Sequence, residues 1–475
     1  MDELVNPDRR AFMRRGAMGA GALWMFSLQE LAARSGHRGP KVINGISPYG
    51  PIRPTRDQET GLELLQLPEG FRYRSYSWTG DTMSDGVECP NLHDGMAVVD
   101  EFSSRDDDDD DDGHHGRRRR RADRLVLVRN HEGGVGNVYV NDRPDITYNP
   151  PGVRTGNGGT SNLVFDLERE RFISARSSLA GTVRNCAGGV TPWGTWITCE
   201  ETDETGHGWS FDVGPDGGDT TPITDMGRFS HEANMVDPRT GYVYETEDSG
   251  NSGLFRFVPF RFGRLERGGK LYMLAVRNRP NLDLSAPWPI GTKWDVRWVR
   301  IDDPSAATVS CFAQGFAKGG ARFSRLEGAW WGDRKGYFLT TNGGVVGEGQ
   351  VFEYDPREET VTLIYDAPNA NEVDNPDNIT VTPRGGLLLC EDAAGNNFTA
   401  GERLIGLTLH GQTFTFAQNN IVLTADRNPR VRAGDYRQAE WAGACYSPDG
   451  KWLFVNIQTP GITFAIKGPW GKGPL

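Results

Sequence analysis

The sequence lacks the motifs that mark several common enzyme classes. It contains no Gly-x-Ser-x-Gly, no Walker loop and no His-Glu-x-x-His, so the usual serine hydrolase, nucleotide-binding and zinc peptidase mechanisms have no support. Six cysteines in 475 residues form no Cys-x-x-Cys pair and are too sparse for a disulfide scaffold. Any catalytic mechanism of this chain must therefore belong to another class.

Long apolar runs and an excess of positive charge are also missing. The weakly apolar stretch 16–28 is rich in Gly and Ala and too short to span a bilayer. Lys and Arg number 52 against 64 Asp and Glu, which gives a formal net charge of −12. A general affinity for nucleic acid or anionic membranes is therefore not expected, whereas an acidic surface around a site could hold cations.

Glycine and proline are abundant, with 61 and 28 residues respectively. This content argues against a helical bundle and favours many short strands joined by turns. Hydrophobic residues make up 37% of the chain and aromatic residues 10%, which is ample for a packed core. The composition thus predicts an all-β protein.

The N-terminal 33 residues are predicted to be a twin-arginine export signal. Arg9 and Arg10 are followed by Phe12 and then by the weakly apolar stretch. An ordinary basic amphipathic helix is the alternative. Twin-arginine export moves folded proteins, often with cofactors already bound, so we expect a periplasmic or secreted protein with no stable membrane insertion after export. Residues 34–61 are predicted to form an extended connector.

One pattern recurs along the rest of the chain, 62–470. A turn containing Pro and Gly precedes a short apolar strand with a polar end. It occurs at 191–200, 237–246, 382–391 and 447–456, with a proline-free relative at 333–340. The spacing is about 45–50 residues, with one gap read as two units, which is typical of a β-propeller of five or six blades. Unrelated hairpins in a β-sandwich are the alternative.

Residues 106–121 interrupt this regularity. Seven aspartates are followed by two histidines and then by five arginines. Such opposed charge blocks predict a solvated loop insertion between strands. Metal binding through the histidines and aspartates is a weaker alternative.

Acidic residues cluster where the predicted strands end. Because equivalent strand ends of a propeller converge on its central channel, these carboxylates would repel one another unless cations neutralised them. Hard cations such as Ca²⁺ take six to eight oxygen ligands. The acidic strand ends are Glu200, Glu201, Glu245, Glu247, Asp248, Glu391 and Asp392, and further acidic residues outside these ends are Glu132, Glu232, Glu327 and Glu440.

Cys186 differs from the other cysteines because it lies in a loop-like segment, 184–194, among these acidic groups. A thiolate there would suit a transition-metal ligand or a nucleophile. A buried structural cysteine is the alternative, and it is the interpretation that we give to Cys199, Cys311, Cys390 and Cys445, which lie in or beside apolar strands.

Several longer motifs resemble the PhoX family of alkaline phosphatases, which are calcium-activated, exported by the twin-arginine route and unrelated to the zinc-dependent phosphatases. They include Leu-Pro-Glu-Gly-Phe at 67–71, Arg-Asn-His-Glu at 129–132 and Asn-Cys-Ala-Gly-Gly at 185–189. The other matching segments are 94–96, 158–162, 199–201, 227–232, 325–328, 376–379, 440–445 and 456–461. Together they span roughly residues 64–469.

The resemblance implies a six-bladed propeller whose channel holds an iron pair and several Ca²⁺ ions. At the matching positions Cys186 would bind Fe³⁺, with Glu232 and Glu327 as further ligands. Asn162 and Glu201 would bind Ca²⁺ or orient the phosphate, and Arg325 would bind the phosphate oxygens. Further acidic ligands are expected at Asp94, Glu132, Glu391 and Glu440.

We therefore expect an enzyme that hydrolyses small phosphate esters, acts as a monomer and does not bind nucleic acid. The charged insertion before the 129–132 motif and the compact length of the chain could change its substrate. The alternatives are another hydrolase on a Ca²⁺ propeller, such as a phosphodiesterase or a lactonase, and a non-catalytic binding propeller. A lactonase would need neither Cys186 nor Arg325.

Overall fold

The structure is a computed structural model that describes residues 42–103, 122–140, 142–392 and 401–475. The predicted export signal, 1–33, and the charged insertion, 106–121, lie outside the described residues. Within the described residues the structure is made almost entirely of β-strands, as the Gly- and Pro-rich composition predicts.

The strands are numbered in chain order. The first fifteen are β1 (Ile52–Thr55), β2 (Leu65–Pro68), β3 (Arg72–Tyr76), β4 (His93–Phe102), β5 (Arg124–His131), β6 (Gly158–Asp166), β7 (Arg171–Thr182), β8 (Asn185–Val190), β9 (Trp196–Glu200), β10 (Ser210–Gly214), β11 (Gly217–Gly218), β12 (His231–Val236), β13 (Val243–Glu247), β14 (Phe255–Pro259) and β15 (Gly269–Val276). The remainder are β16 (Lys293–Arg300), β17 (Leu326–Gly332), β18 (Lys335–Thr340), β19 (Gln350–Asp355), β20 (Thr360–Asp366), β21 (Pro376–Val381), β22 (Gly386–Glu391), β23 (Arg403–Thr408), β24 (Thr413–Asn419), β25 (Val422–Leu423), β26 (Gly434–Asp435), β27 (Trp441–Tyr446), β28 (Trp452–Ile457) and β29 (Ile462–Lys467). The helical elements of the described residues are α1 (Cys311–Ala317) and the 3-10 turns Thr224–Met226, Leu265–Arg267 and Trp470–Lys472.

These strands form six antiparallel blades around a central channel, which confirms the predicted β-propeller. Blade 1 is β4–β7, blade 2 is β8–β11, blade 3 is β12–β15, blade 4 is β17–β20 and blade 5 is β21–β24. Blade 6 is β27, β28 and β29 with β3. The innermost strands β4, β8, β12, β17, β21 and β27 each contact the next, and β27 contacts β4, so that the ring closes.

The ring is closed by strand β3, which precedes all the blades in sequence but pairs with the C-terminal strand β29. The register runs from Arg72 opposite Lys467 to Tyr76 opposite Thr463. Strands β1 and β2 extend blade 5 on its outer side. The predicted connector, 34–61, is therefore not loop throughout, because Ile52–Thr55 pairs with β2 and continues that sheet.

The recurring sequence pattern corresponds to one structural position. Each occurrence is the turn after an innermost strand together with the second strand of the blade, namely β9, β13, β18, β22 or β28. The one long gap was read as two units, and this was wrong, because blades 3 and 4 are adjacent. Strand β16, which joins β15 to β20, and helix α1 lengthen the connection there. The blade without the pattern is blade 1, where 106–121 lies between β4 and β5.

Aromatic side chains fill the spaces between blades. Between blades 1 and 6 the ring centroid of Phe165 lies 4.8 Å from that of Trp452 and 5.1 Å from that of Phe454. Each such fully buried side chain contributes roughly 1.5–3 kcal/mol to folding. Packing of this kind holds the innermost strands in register, and these strands position the site described next.

Candidate metal centre

The innermost strands carry a set of equivalent polar side chains at one end of the channel. In five of the six blades the second residue of the innermost strand is an acid or a thiol. These residues, here called the inner ring, are Asp94, Cys186, Glu232, Glu327 and Asp377. In blade 6 the corresponding residue is Ala442, and Glu440 lies two residues before it.

A β-bulge accompanies the inner ring. In β4, β8, β12 and β17 the pairing with the second strand shifts after the first residue. The next paired residue lies three positions further along the innermost strand but only two positions away on the second strand. The pairing of β21 shifts at the same place, and that of β27 shifts between Ala442 and Cys445. Bulged residues leave the regular alternation of a strand and are re-aimed by the local bend. The bulges thus direct the ring side chains towards the channel.

A second set of side chains follows the second strand of each blade. In every blade the backbone N–H of this residue donates to the carbonyl of the residue just before the innermost strand, at 2.8–3.2 Å. The six residues, here called the outer ring, are Glu132, Glu201, Asp248, Thr341, Asp392 and Gln458. Six equivalent backbone bonds therefore place four more carboxyl groups at the same end of the channel.

Two triads within these rings have the spacing of a metal site. One consists of Glu132, Cys186 and Glu201, and in each triad the ligand atoms all lie within 4.8 Å of one another. The second consists of Glu232, Glu327 and Asp377 and is entirely buried. Neither carboxylate oxygen of Glu232 has a hydrogen-bond partner among the described residues. Because a buried carboxylate without a partner is costly, this orphaned group fits a cation ligand.

Two arginines border the triads at equivalent positions. Arg184 precedes β8, and its Nη2 donates to Glu201 at 2.5 Å and forms an ion pair with Glu132 at 2.7 Å. Arg325 precedes β17 and donates through Nη2 to Glu327 at 2.5 Å. Its Nε donates to Asp248 Oδ1 at 3.0 Å. In each case one partner comes from the outer ring of the preceding blade.

Both arginines adopt a left-handed backbone conformation, with φ 51° at Arg184 and 47° at Arg325. Leu92 and Asn375, which occupy the same position in blades 1 and 5, have φ 51° and 42°. Such values are unfavourable for residues with a Cβ and occur mainly where the surroundings impose them, often at functional sites. The left-handed conformation is therefore shared by the strand entries of four blades, including the two that carry the arginines.

Burial and mutual repulsion control the protonation of the ring. Burial, and then the neighbouring carboxylates Asp377 and Glu327, raises the pKa of Glu232 well above its usual range. Burial also raises the pKa of Glu132 to about 8 although Arg184 opposes the shift, and that of Asp377 to about 7. The pKa of the Cys186 thiol is raised by burial and then by nearby Asp94 and Glu232. Full ionisation of these groups therefore requires additional positive charge.

Polar side chains of the preceding blade fix the bulges. Asn130 of β5 donates to the carbonyls of Cys186 at 2.9 Å and Ala187 at 2.7 Å. Thr246 of β13 donates to the Glu327 carbonyl at 2.7 Å, and Asn456 of β28 donates to the Asp94 carbonyl at 2.6 Å. Asn130 belongs to the motif at 129–132 and Asn456 to the motif at 456–461. One role of each motif is therefore to hold the backbone of an inner-ring residue from the preceding blade.

The channel narrows directly below the inner ring. A Cβ atom at Gly95 would lie 2.6 Å from the Cα of Ala187, and one at Gly328 would lie 2.6 Å from the carbonyl oxygen of Asp377. Only glycine permits such close approach of neighbouring innermost strands. The rings therefore form the wall of a cup that is accessible from the end that carries the arginines.

Most of the predicted site residues meet in this cup. The structure brings together Asp94, Glu132, Cys186, Glu201, Glu232, Arg325 and Glu327. Cys186 Sγ lies 3.9 Å from Asp94 Oδ2. Glu440 is half-buried and borders the rings. Its pKa is raised by loss of hydration and then by the nearby carboxylate of Asp392. Glu132 and Glu201 form one group with Cys186, whereas Glu232 and Glu327 group with Asp377.

Two predicted site residues lie elsewhere. The amide nitrogen of Asn162 on β6 donates to the carbonyls of Gly214 and Pro215, both at 2.9 Å, in the outer hairpin of blade 2. Glu391 ends the second strand of blade 5 and forms a buried ion pair with Arg403, at 2.6 Å to Nη2 and 2.7 Å to Nε. Asn162 thus joins two blades and Glu391 fixes a strand end, which is the physical reason that neither reaches the cup.

Two residues of the cup, Arg184 and Asp377, were not singled out from the sequence, and Asp248 was named only as an acidic strand end. Asp377 lies in the matching segment 376–379, Asp248 follows an acidic strand end, and Arg184 precedes Cys186 by two positions. They could have been recognised by position, because each one occupies the inner-ring, outer-ring or strand-entry position of its blade. That equivalence becomes visible only after the strands are aligned blade by blade.

The described residues contain no helix long and apolar enough to cross a membrane. The chemistry of the cup follows from its composition, which is a buried thiol and converging carboxyl groups beside two arginines. Such a set can bind metal ions and, next to them, an anion. An anionic substrate would be repelled by the carboxylates without the ions.

Comparisons with known proteins agree with this fold. A solved structure with a similar fold is Pseudomonas fluorescens PhoX in complex with vanadate, a transition state analogue. It has a TM-score of 0.61 and 16% identity, with 90% of this chain and 98% of that chain covered. A gluconolactonase from Xanthomonas campestris gives a TM-score of 0.36 at 12% identity over 89% of this chain and 99% of that one, which is too weak to bear on function. A search of curated protein sequences finds no match.

The family description "Alkaline phosphatase PhoX" matches residues 47–178 and 166–461, which is most of the chain. This match contains both triads and both arginines. The protein is therefore a hydrolase of phosphoric esters that belongs to the PhoX family of alkaline phosphatases.

Proposed function

We propose that this protein hydrolyses phosphate monoesters at alkaline pH, with Fe³⁺ and Ca²⁺ bound in the cup, in the periplasm or outside the cell. The observation that carries the proposal is the convergence of the two triads beside Arg184 and Arg325. Membership of an alkaline phosphatase family supports the same reaction.

The donor atoms of the triads fit the proposed ions. Cys186 with Glu132 and Glu201 offers sulfur and oxygen, a combination that suits a transition metal such as Fe³⁺. The other triad offers only carboxylate oxygens, as Ca²⁺ prefers. When bound, these ions would offset the negative charge of the phosphoryl group and the charge that develops on it during transfer.

The arginines would bind and orient the phosphoryl group. The side chains of Arg184 and Arg325 are 46% and 38% exposed, so each guanidinium group retains donors that face the open end. A guanidinium can bind two phosphate oxygens at once, which fixes orientation as well as charge. Their partners Glu132, Glu201 and Glu327 hold them in place before a substrate arrives, and this preorganisation lowers the cost of binding the transition state.

The same contacts support an alkaline optimum. Metal ligands must lose their protons before they bind, and burial raises the pKa of the Cys186 thiol and of the Glu232 carboxyl. Protons therefore compete with the ions at low pH. Higher pH would favour the loaded cup.

The location and partners are also proposed. The twin-arginine motif in 1–33 supports export as a folded protein. The partners would be the export machinery and small phosphate esters, and the protein would act as a monomer. No observation in the described residues favours a lactonase, whose substrate would not require two arginines.

The test is hydrolysis of an aryl phosphate monoester at alkaline pH, with Ca²⁺ and again after chelation, together with elemental analysis for iron. We expect calcium-dependent release of phosphate from iron-containing protein. A bis-aryl phosphate diester and a lactone are assayed in parallel. Faster hydrolysis of either one, or no hydrolysis by folded protein that contains iron and calcium, would overturn the proposal.

A further inference from the structure

The turn between β14 and β15, residues 260–268, exposes two phenylalanines. Phe260 is 62% exposed and Phe262 is 53% exposed. The turn leaves blade 3 at the strand ends opposite those that carry the rings, because β14 runs parallel to β12 within the antiparallel sheet. This exposed apolar surface is therefore separate from the cup.

The turn is held firmly by the blade. Leu265 is buried in the core, and the backbone N–H of Phe260 donates to the Gly268 carbonyl at 2.9 Å. The ring of Phe262 packs edge-on against Trp193 of the preceding blade, with centroids 5.7 Å apart. Since these contacts fix the turn, exposure of the two rings is a feature of the folded structure.

The charge of the turn is opposite to that of the whole chain. Residues 260–268 contain Arg261, Arg264 and Arg267 but only one acid, Glu266, whereas the chain carries −12. Arg264 pairs with Glu266 at 2.7 Å. Within the described part of the chain no ion pair is formed by Arg261, which is exposed between the two phenylalanines.

We propose that residues 260–268 dock on an anionic lipid bilayer. Aromatic rings favour the interface between headgroups and acyl chains, while nearby arginines are attracted to anionic headgroups. Phe260 and Phe262 supply the rings, and Arg261 with its neighbours supplies the charge. Docking at this end would leave the open end of the cup facing solution, where a soluble phosphate ester can enter.

A second copy of the chain fits this surface less well. Two phenylalanine side chains fall far short of the roughly 1,200 Å² of buried surface that a stable interface needs. A symmetric contact would also place Arg261 and its neighbours against the same arginines of the other copy. An anionic bilayer instead offers an apolar layer and opposite charge together.

The test is co-sedimentation of the full chain with vesicles of phosphatidylcholine, with and without phosphatidylglycerol. We expect binding to the anionic vesicles that weakens with salt. Phe260→Ser with Phe262→Ser should lower the partition coefficient about tenfold or more, because the apolar contribution is lost. Ile290→Ser is the matched control, since Ile290 is 59% exposed in another loop. Residues 1–41 are the same in all variants, so differences between them report on the turn.

Arg261→Gln should reduce the preference for anionic vesicles while both phenylalanines remain. Hydrolysis of an aryl phosphate should be unchanged in every variant, so failure of this proposal is distinguishable from failure of the proposed reaction. Unaltered vesicle binding by the double serine variant would overturn it. A dimer in solution that the double variant dissociates, without vesicle binding by the native chain, would also overturn it and assign the surface to a second copy.

Discussion

Arg325 Nη2 lies 2.5 Å from Glu327 Oε1, and Arg325 Nε lies 3.0 Å from Asp248 Oδ1 of the preceding blade. One side chain therefore connects the inner ring of blade 4 with the outer ring of blade 3. The backbone of Arg325 is left-handed, with φ 47°. Arg184, at the same strand-entry position two blades earlier, instead joins the outer-ring residues Glu132 and Glu201, so the cup has two preorganised cationic positions.

Arg325→Gln and Arg184→Gln should each lower kcat/KM for an aryl phosphate about 100-fold, because removal of one positioned donor typically costs that much. Metal content should not fall, since each change leaves the carboxylates less neutralised. The measurement is steady-state kinetics with elemental analysis of the same samples. Asn162→Ala is the control and should stay within a few-fold of the native rate, since Asn162 bonds to Gly214 and Pro215. A loss at Asn162 equal to that at Arg325 would contradict its placement outside the cup.

Cys186→Ala should lose iron and nearly all activity while the protein remains folded. Cys186 is the only thiol within the two triads, and its removal leaves only carboxylate ligands there. Elemental analysis and circular dichroism provide the measurements. Cys445→Ala is a matched control, because Cys445 is buried in the core and lies outside both triads. An active, iron-containing Cys186 variant would show that the thiol is structural.

Glu391→Gln and Glu232→Gln should have opposite consequences. Loss of the buried partner of Arg403 should lower the free energy of unfolding by about 3 kcal/mol and leave metal content unchanged. Within the part of the chain that the structure describes, Glu232 has no hydrogen-bond partner, so its replacement should leave the stability of the chelated protein unchanged or higher while metal is lost. Denaturant unfolding of chelated protein and elemental analysis separate the two cases. Metal loss from Glu391→Gln would show that Glu391 is a metal ligand after all.

The chelated protein should become less stable as pH rises from about 5 to 8.5. The pKa of Glu132 is raised from 4.5 to about 8 and that of Asp377 from 3.8 to about 7, in both cases mainly by burial. In this window the folded state binds more protons than the unfolded state, so the free energy of unfolding falls with pH. We expect a Tm lower by roughly 5 °C at pH 8.5 than at pH 6.

Added Ca²⁺ should remove most of this pH dependence, because bound cations replace the protons. Glu132→Gln combined with Asp377→Asn should flatten the profile of the chelated protein. Differential scanning calorimetry across this pH range is the measurement. A Tm that rises with pH in the chelated native protein would have the wrong sign for this explanation.

Deletion of 106–121 should leave folding and metal content intact. The N–H of Asp123 donates to the Phe102 carbonyl at 3.0 Å, so the strands on either side of the insertion already pair at that end of the blade. The other five blades complete the same connection with short turns. Thermal unfolding and elemental analysis of the deletion variant test this. Loss of iron or a large fall in Tm would show that the insertion is structural.

The sequence alone determined the architecture to a large extent. The recurrent Pro- and Gly-containing turn marks the second strand of four blades, and its proline-free relative at 333–340 marks that of a fifth, because that tight connection must be rebuilt in every blade. The motifs around Cys186, Glu232 and Glu327 also indicated the correct family, and these residues do meet. Only local spacing was needed for these predictions, since turns and short motifs depend on neighbouring residues.

Tertiary structure decided which polar residues share the cup. Glu200, Glu247 and Glu391 end second strands and bond within their own blades, whereas the next residue in each case belongs to the outer ring. A shift of one residue therefore separates a structural carboxylate from a candidate ligand. That distinction depends on strand register, on the bulges and on the closure of a ring whose members are hundreds of residues apart, and none of these is encoded by local spacing. Only the arrangement of the six blades placed Asp377 and Arg184 in the cup and Asn162 outside it.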